Sequence, residues 1–150
     1  MRMKTNIFKA LSLFAAALLL TATSCTKEDN GGAEEPLEVN RNNISGSWEL
    51  VSWNGKPLEG GTYLHLTLVR NDATFTLEQN LNSFGDIPQT LTGRYSLSED
   101  EIRGSIIEGL YDHDYGFWSH KYIISALYRD TMVWTALDDE NEVQVFQRLQ

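Results

Sequence analysis

Cysteine is almost absent from this chain: Cys25 is the single one among 150 residues. No disulfide can form within it, so its fold must be held by an apolar core alone. Cationic side chains are scarce too, 12 Lys and Arg against 21 Asp and Glu, for a formal charge of −9. From Ser45 onward, 7 bases stand against 16 acids. A surface of that sign repels phosphate backbones and anionic head groups, which excludes nucleic acid as a partner. Long apolar runs are missing as well. The most apolar one, Ala10–Leu20, has 11 residues, far short of the roughly 20 that cross a bilayer as a helix. After residue 44 no stretch keeps a helical period beyond a turn or two.

What is present begins with a leader. Arg2, Lys4 and Lys9 precede the apolar run, and the small residues Thr21-Ala22-Thr23-Ser24 lead into Cys25. This is a secretory signal, to be set aside before the fold is read. One reading of the cysteine is a spare thiol in a secreted protein cut nearby. The other is lipidation, since Ala22-Thr23-Ser24-Cys25 resembles the lipobox of bacterial lipoproteins. That resemblance implies cleavage before Cys25 and acylation of its side chain and new amino group. Two or more acyl chains anchor where one is marginal, at ~0.8 kcal/mol per buried methylene. Residues 1–24 are then the signal peptide, and their removal takes the charge to −12. Residues 25–43 are the acylated cysteine and a polar, aperiodic tether expected to be disordered. Lys27-Glu28-Asp29 looks like the acidic signals that send some Gram-negative lipoproteins to the cell surface; the plainer reading is a solvated linker. The expected address is the outer membrane, facing the periplasm or the cell surface, with Cys25 as the membrane contact.

Residues 44–150 read as strands. Asn54-Gly55 ends the first and tolerates the positive φ of a tight hairpin turn. From Thr62 to Arg70, Leu64, Leu66 and Leu68 alternate with Tyr63, His65, Thr67 and Val69. Similar period-two stretches follow at Ala73–Asn80, Gln89–Leu97, Ile102–Gly109, Trp118–Leu127, Thr131–Leu137 and Glu142–Leu149. In the sixth strand Trp118, His120, Tyr122, Ile124 and Ala126 share a side. Gly93 and Gly104 lie inside strand patterns, where a barrel corner needs a sharp bend. Eight strands of about seven to ten residues predict an all-β, eight-stranded antiparallel up-and-down β-barrel.

Gly46-Ser47-Trp48, Gly93-Arg94-Tyr95, Gly104 and the closing Phe146-Gln147-Arg148 together resemble the lipocalin-like domains of Gram-negative lipoproteins, over residues 44–150. The resemblance implies that Gly46 and Trp48 close one end of the barrel and that Arg148 packs across Trp48. No helical pattern follows the last strand, unlike full lipocalins. It further implies a ligand in the open mouth opposite Trp48.

Strand direction alternates in a meander, so Asn54–Gly61, Leu81–Pro88 and Leu110–Phe117 fall at the end away from Trp48, and Ser98–Glu101 at the other. Phe84, Tyr111, Tyr115, Phe117 and Trp118 are therefore expected around one opening. Tyr95 and Tyr122, on inward faces, complete the candidate ligand-binding set. Aromatics of this kind fill a small barrel or line a cavity, and both readings stand at this point. The first makes the loops an interaction surface for a protein or glycan. The second makes the barrel a holder of a small apolar or amphipathic molecule, with a cavity of at least ~300 Å³.

Catalysis finds no foothold. There is no Gly-x-Ser-x-Gly elbow and no phosphate loop. Asp112-His113-Asp114 with His120 invites a metal, but lacks the spacing of established sites and reads as a solvated acidic loop. A non-enzymatic protein without cofactor or metal is expected.

Overall fold

The computed structural model of the chain describes residues 33–81 and 87–150. Cys25, the leader, the first part of the tether and Phe84 lie outside the described residues. Each alternating stretch becomes a strand: β1 Gly46–Trp53, β2 Lys56–Pro57, β3 Leu64–Val69, β4 Thr74–Gln79, β5 Gln89–Asp100, β6 Gly104–Tyr111, β7 Tyr122–Leu127, β8 Thr131–Ala136 and β9 Val143–Arg148. All pairings are antiparallel between neighbours, and β1 also pairs with β9, so eight strands close into a barrel. The two-residue β2 is extra. It folds back on the end of β1 through Asn54 and Gly55, at φ 51° and 76°.

Two bulges decide which side chains face inward. β1 shifts register against β9 between Leu50 and Ser52, leaving Val51 unpaired. Trp48 and Leu50 are buried at 0% and 1% exposure. The extra residue turns Trp53, not Ser52, toward the interior beyond them. β7 shifts against β8 between Ile124 and Ala126. The sequence pattern put Ala126 on the inward side; the bulge instead buries Leu127, at 2% exposure.

Three boundaries differ from the sequence pattern for local reasons. Ile102 is 94% exposed, because the Asp100 carboxylate accepts the Ile102 and Arg103 N–H groups at 2.9 and 2.8 Å and makes a tight turn there. Gly104 ends that turn at φ +86° and opens β6; it is a turn residue, not a barrel corner. Gly93 does lie within β5, where a Cβ would run into the Phe75 ring and the Leu110 carbonyl. At β7, Trp118 is no strand residue: its N–H donates to Gly109 O (2.9 Å) and its ring lies against Gly109, where a Cβ would strike it.

Residues 33–43, read from the sequence as the end of a tether, lie along the barrel. Leu37 N–H donates to Leu127 O (2.8 Å), and the Glu34 carboxylate accepts from Arg129 N–H (2.9 Å). Asn40 then caps a single helical turn, Arg41–Ile44, by accepting from Asn43 N–H at 3.0 Å. That turn drives Ile44 into the barrel's end at 0% exposure. Polar composition hid an element whose apolar anchors in the core are Val39 and Ile44.

Candidate functional site: an aromatic mouth

One end of the barrel is sealed. Trp48 donates its indole N–H to Ile44 O at 2.8 Å. The Arg148 guanidinium lies over its ring, 4.0 Å from the centroid. The same guanidinium donates to Ser45 O (2.7 Å), Asn43 O (2.9 Å) and Arg129 O (2.7 Å). Gly46, at φ +119°, gives it room: a Cβ there would stand 2.7 Å from Arg148 Nη1. Burial lowers the Arg148 pKa, with Asp130 opposing, and a guanidinium stays charged regardless.

The other end collects the 54–63, 80–88, 112–121 and 137–142 connections, with residues 82–86 outside the description. Here the barrel is not filled. A cavity of about 140 Å³ is walled by the aromatic rings of Trp53, Tyr111, Trp118, Tyr122, Trp134 and Phe146, with Leu64, Leu66 and Leu77 beside them and Ser119 and Gln144 as polar groups. Five of the six rings, all but Trp53, are linked by ring-to-ring contacts, Tyr111 through Phe75. Phe75 to Trp118 is 5.0 Å between centroids, Trp118 to Trp134 5.5 Å, Tyr122 to Trp134 5.3 Å and Trp134 to Phe146 4.8 Å. Such contacts hold the walls in place at ~0.5–1.5 kcal/mol per pair.

Two wall side chains, Trp53 and Gln144, and the neighbouring Asn54 converge on one carboxylate. Glu142 accepts from the Trp53 indole N–H, from Asn54 Nδ2 (3.0 Å) and from Gln144 Nε2 (3.4 Å). Gln144, 7% exposed, also reaches Tyr122 Oη at 3.3 Å. The Tyr122 phenol is pushed up to about 12, chiefly by burial, with Glu142 adding to the effect and the Gln144 hydrogen bond opposing it. Burial also raises Tyr111, helped by Asp114. Both are neutral hydroxyls at any physiological pH. The Trp134 indole N–H, in a side chain 3% exposed, has no acceptor among the described residues. A buried unpaired donor costs about 1–3 kcal/mol.

Of the residues picked from sequence, Tyr111, Trp118 and Tyr122 line this cavity. Tyr95 does not: it is 4% exposed, and its hydroxyl donates to Val69 O (3.2 Å) toward the sealed end. Tyr115 and Phe117 stand outside, 79% and 63% exposed. Phe117 is held by a bridge to Leu110 on the outer side of β6, and Tyr115 sits at φ 57°, a left-handed turn position. Of the five aromatics expected around one opening, the four that are described are split, Tyr111 and Trp118 in an inner wall and Tyr115 and Phe117 outside it. Trp53, Trp134, Phe146 and Gln144 were not among the candidates; Trp53 depends on the bulge at Val51, and Gln144 is a polar side chain within the last strand pattern, where polarity hides an inward position.

The loop carboxylates and histidines are dispersed. Asp112 accepts from the Thr92 hydroxyl (2.8 Å), His113 lies 3.3 Å from Asp114, and His120 pairs with Asp138 at 2.7 Å. Among the described residues, no group of three or more His, Cys, Asp or Glu side chains is placed to hold a metal ion. Nor, among them, is any helix long and apolar enough to cross a membrane. The chain matches no protein-family model and no curated protein.

Proposed function

We propose that this chain is a lipid-anchored, non-enzymatic, lipocalin-like binding module of the Gram-negative outer membrane, held through Cys25 and taking a small apolar or amphipathic group into its open mouth. The observation that carries the reading is the cavity of about 140 Å³ at the end opposite Trp48, walled by six aromatic rings and three leucines with only Ser119 and Gln144 polar. A cavity of about 150 Å³ holds one benzene ring. Drug-sized ligands need ~300 Å³ or more. The occupant is thus a single ring or the end of a longer molecule whose remainder lies among the loops. Native mass spectrometry of the chain, extracted from its own membranes in non-ionic detergent, tests this. A bound small molecule that is lost in Trp118→Ala is the expected result; no bound mass, together with unchanged tryptophan fluorescence across a panel of small aromatics and amphiphiles, overturns it.

A second reading has its own observation. Ile87, Tyr115 and Phe117, at 73%, 79% and 63% exposure, stand at the mouth end of the barrel. Exposed aromatics suit a protein or glycan partner. In that reading the barrel is a rigid stand for its loops, and Phe117→Ser abolishes partner binding while Trp118→Ala leaves it intact.

A further inference from the structure

Resting on the cavity reading above, we infer that the mouth selects a methylated ammonium group, an organic cation, over neutral and anionic molecules of the same shape. Six aromatic rings, those of Trp53, Tyr111, Trp118, Tyr122, Trp134 and Phe146, wall a space of about 140 Å³. No Lys, Arg or His is among the lining residues. Ring faces attract cations, most strongly when water is excluded, and clusters of rings around quaternary ammonium are the recurring use of that attraction.

The charge around the mouth has one sign. Glu142 is bonded directly to the wall through Trp53, Asn54 and Gln144. The 112–121 and 137–142 connections bring Asp112, Asp114, Asp138, Asp139 and Glu140 to the same end. The opposing basic groups there are Lys56, Lys121, which is held 3.2 Å from Glu108, His113 beside Asp114, His120 paired with Asp138, and Arg103, whose guanidinium donates to Leu137 O; none of them but His120 and Lys121 neighbours the cavity wall in sequence. Carboxylates act on both phenols, Glu142 and Asp138 on Tyr122 and Asp114 on Tyr111, and no basic side chain is among the groups that do. A fatty-acid carboxylate entering this mouth meets Glu142 and finds no basic side chain in the wall.

Methylation follows from the same wall. A primary ammonium needs three hydrogen-bond acceptors at once; ring faces supply none, and the few acceptors in the wall, on Ser119, Gln144 and the two tyrosines, are scattered among apolar groups, so stripping the ammonium of water is costly. A trimethylammonium group has no N–H to satisfy and presents methyl groups to the rings.

Choline and 3,3-dimethylbutanol have the same shape and the same hydroxyl, and differ in a charged nitrogen against a neutral carbon. Titration of each into the full chain in non-ionic detergent, read by calorimetry and tryptophan fluorescence, isolates the charge. The expected result is choline binding roughly 2- to 30-fold tighter than its neutral counterpart, with Glu142→Gln reducing that ratio and leaving the alcohol's affinity unchanged. Equal binding of both overturns the cation inference and leaves the cavity reading standing. Binding of neither, with no fluorescence change, overturns both. Because the ratio is measured on the unaltered chain, the outcome does not depend on the variant folding.

Discussion

Arg148→Met is the sharpest perturbation of the sealed end. Methionine keeps an apolar stem against Trp48 but removes the charge and every donor. Three carbonyl oxygens, of Ser45, Asn43 and Arg129, lose partners at 2.7, 2.9 and 2.7 Å, and the ring of Trp48 loses a guanidinium 4.0 Å from its centroid. Charged hydrogen bonds are worth ~1.5–3 kcal/mol each and a cation–π contact ~0.5–2 kcal/mol. Those figures do not add here. Arg148 is only part-buried, so water can replace some of what the carbonyls lose, and contributions from one shared network overlap. A loss of ~2–4 kcal/mol is expected, lowering Tm by on the order of 10 °C. Arg148→Lys should fall between, since a lysine keeps the charge but not the planar fork that reaches three carbonyls at once. Urea unfolding followed by tryptophan fluorescence measures it, with the midpoint moving and the slope unchanged. An Arg148→Met protein within ~0.5 kcal/mol of the parent, the usual range for a surface substitution, refutes the view that this residue seals the barrel.

Other outcomes follow from single residues. The Tyr122 phenol is raised from 10.0 to about 12 in the folded chain, so the unfolded state loses its proton first. Stability from this group is complete below pH ~10 and falls as pH rises toward 12, by about 3 kcal/mol at most; Tyr122→Phe should flatten that alkaline loss in pH-dependent unfolding. Gly109→Ala puts a methyl group into the Trp118 ring, and should cost ~1–3 kcal/mol by overpacking while shifting Trp118 emission, which an unmoved indole would contradict. Cys25→Ala should abolish fatty-acid labelling of the chain and leave the precursor uncleaved; equal labelling of variant and parent removes the lipid anchor from the account.

Strand alternation was legible because the inner face of a barrel is apolar wherever it is buried, as Leu64, Leu66 and Leu68 show. The Asn54-Gly55 hairpin was legible because few dipeptides accept two positive φ angles. Bulges were not. An inserted Val51 or Ser125 changes no composition, yet each moves every later side chain to the other face, which is how Trp53 and Leu127 came inside. Height along a strand was also hidden. Tyr95 and Tyr122 both alternate inward, but only the position of each within its strand separates a residue near the seal from one in the mouth. The Leu110–Phe117 loop hid its split because Tyr115 takes a left-handed φ without being glycine. Residues 33–43 were hidden by their polarity, since a strap held by hydrogen bonds, Val39 and the following Ile44 carries no periodic signal.

The account turns on the barrel being sealed at Trp48 and hollow at Trp53, Trp118 and Trp134, and four indole N–H resonances report on it directly. In a nitrogen-labelled sample titrated with benzene, a neutral probe that fits a cavity of this size, the indole signals of Trp53, Trp118 and Trp134 should shift together and saturate. That of Trp48, bonded to Ile44 O at 2.8 Å beneath Arg148, should stay where it is. Saturating shifts confined to the three mouth tryptophans are the predicted result; a shift at Trp48, or none at any of the four, contradicts it.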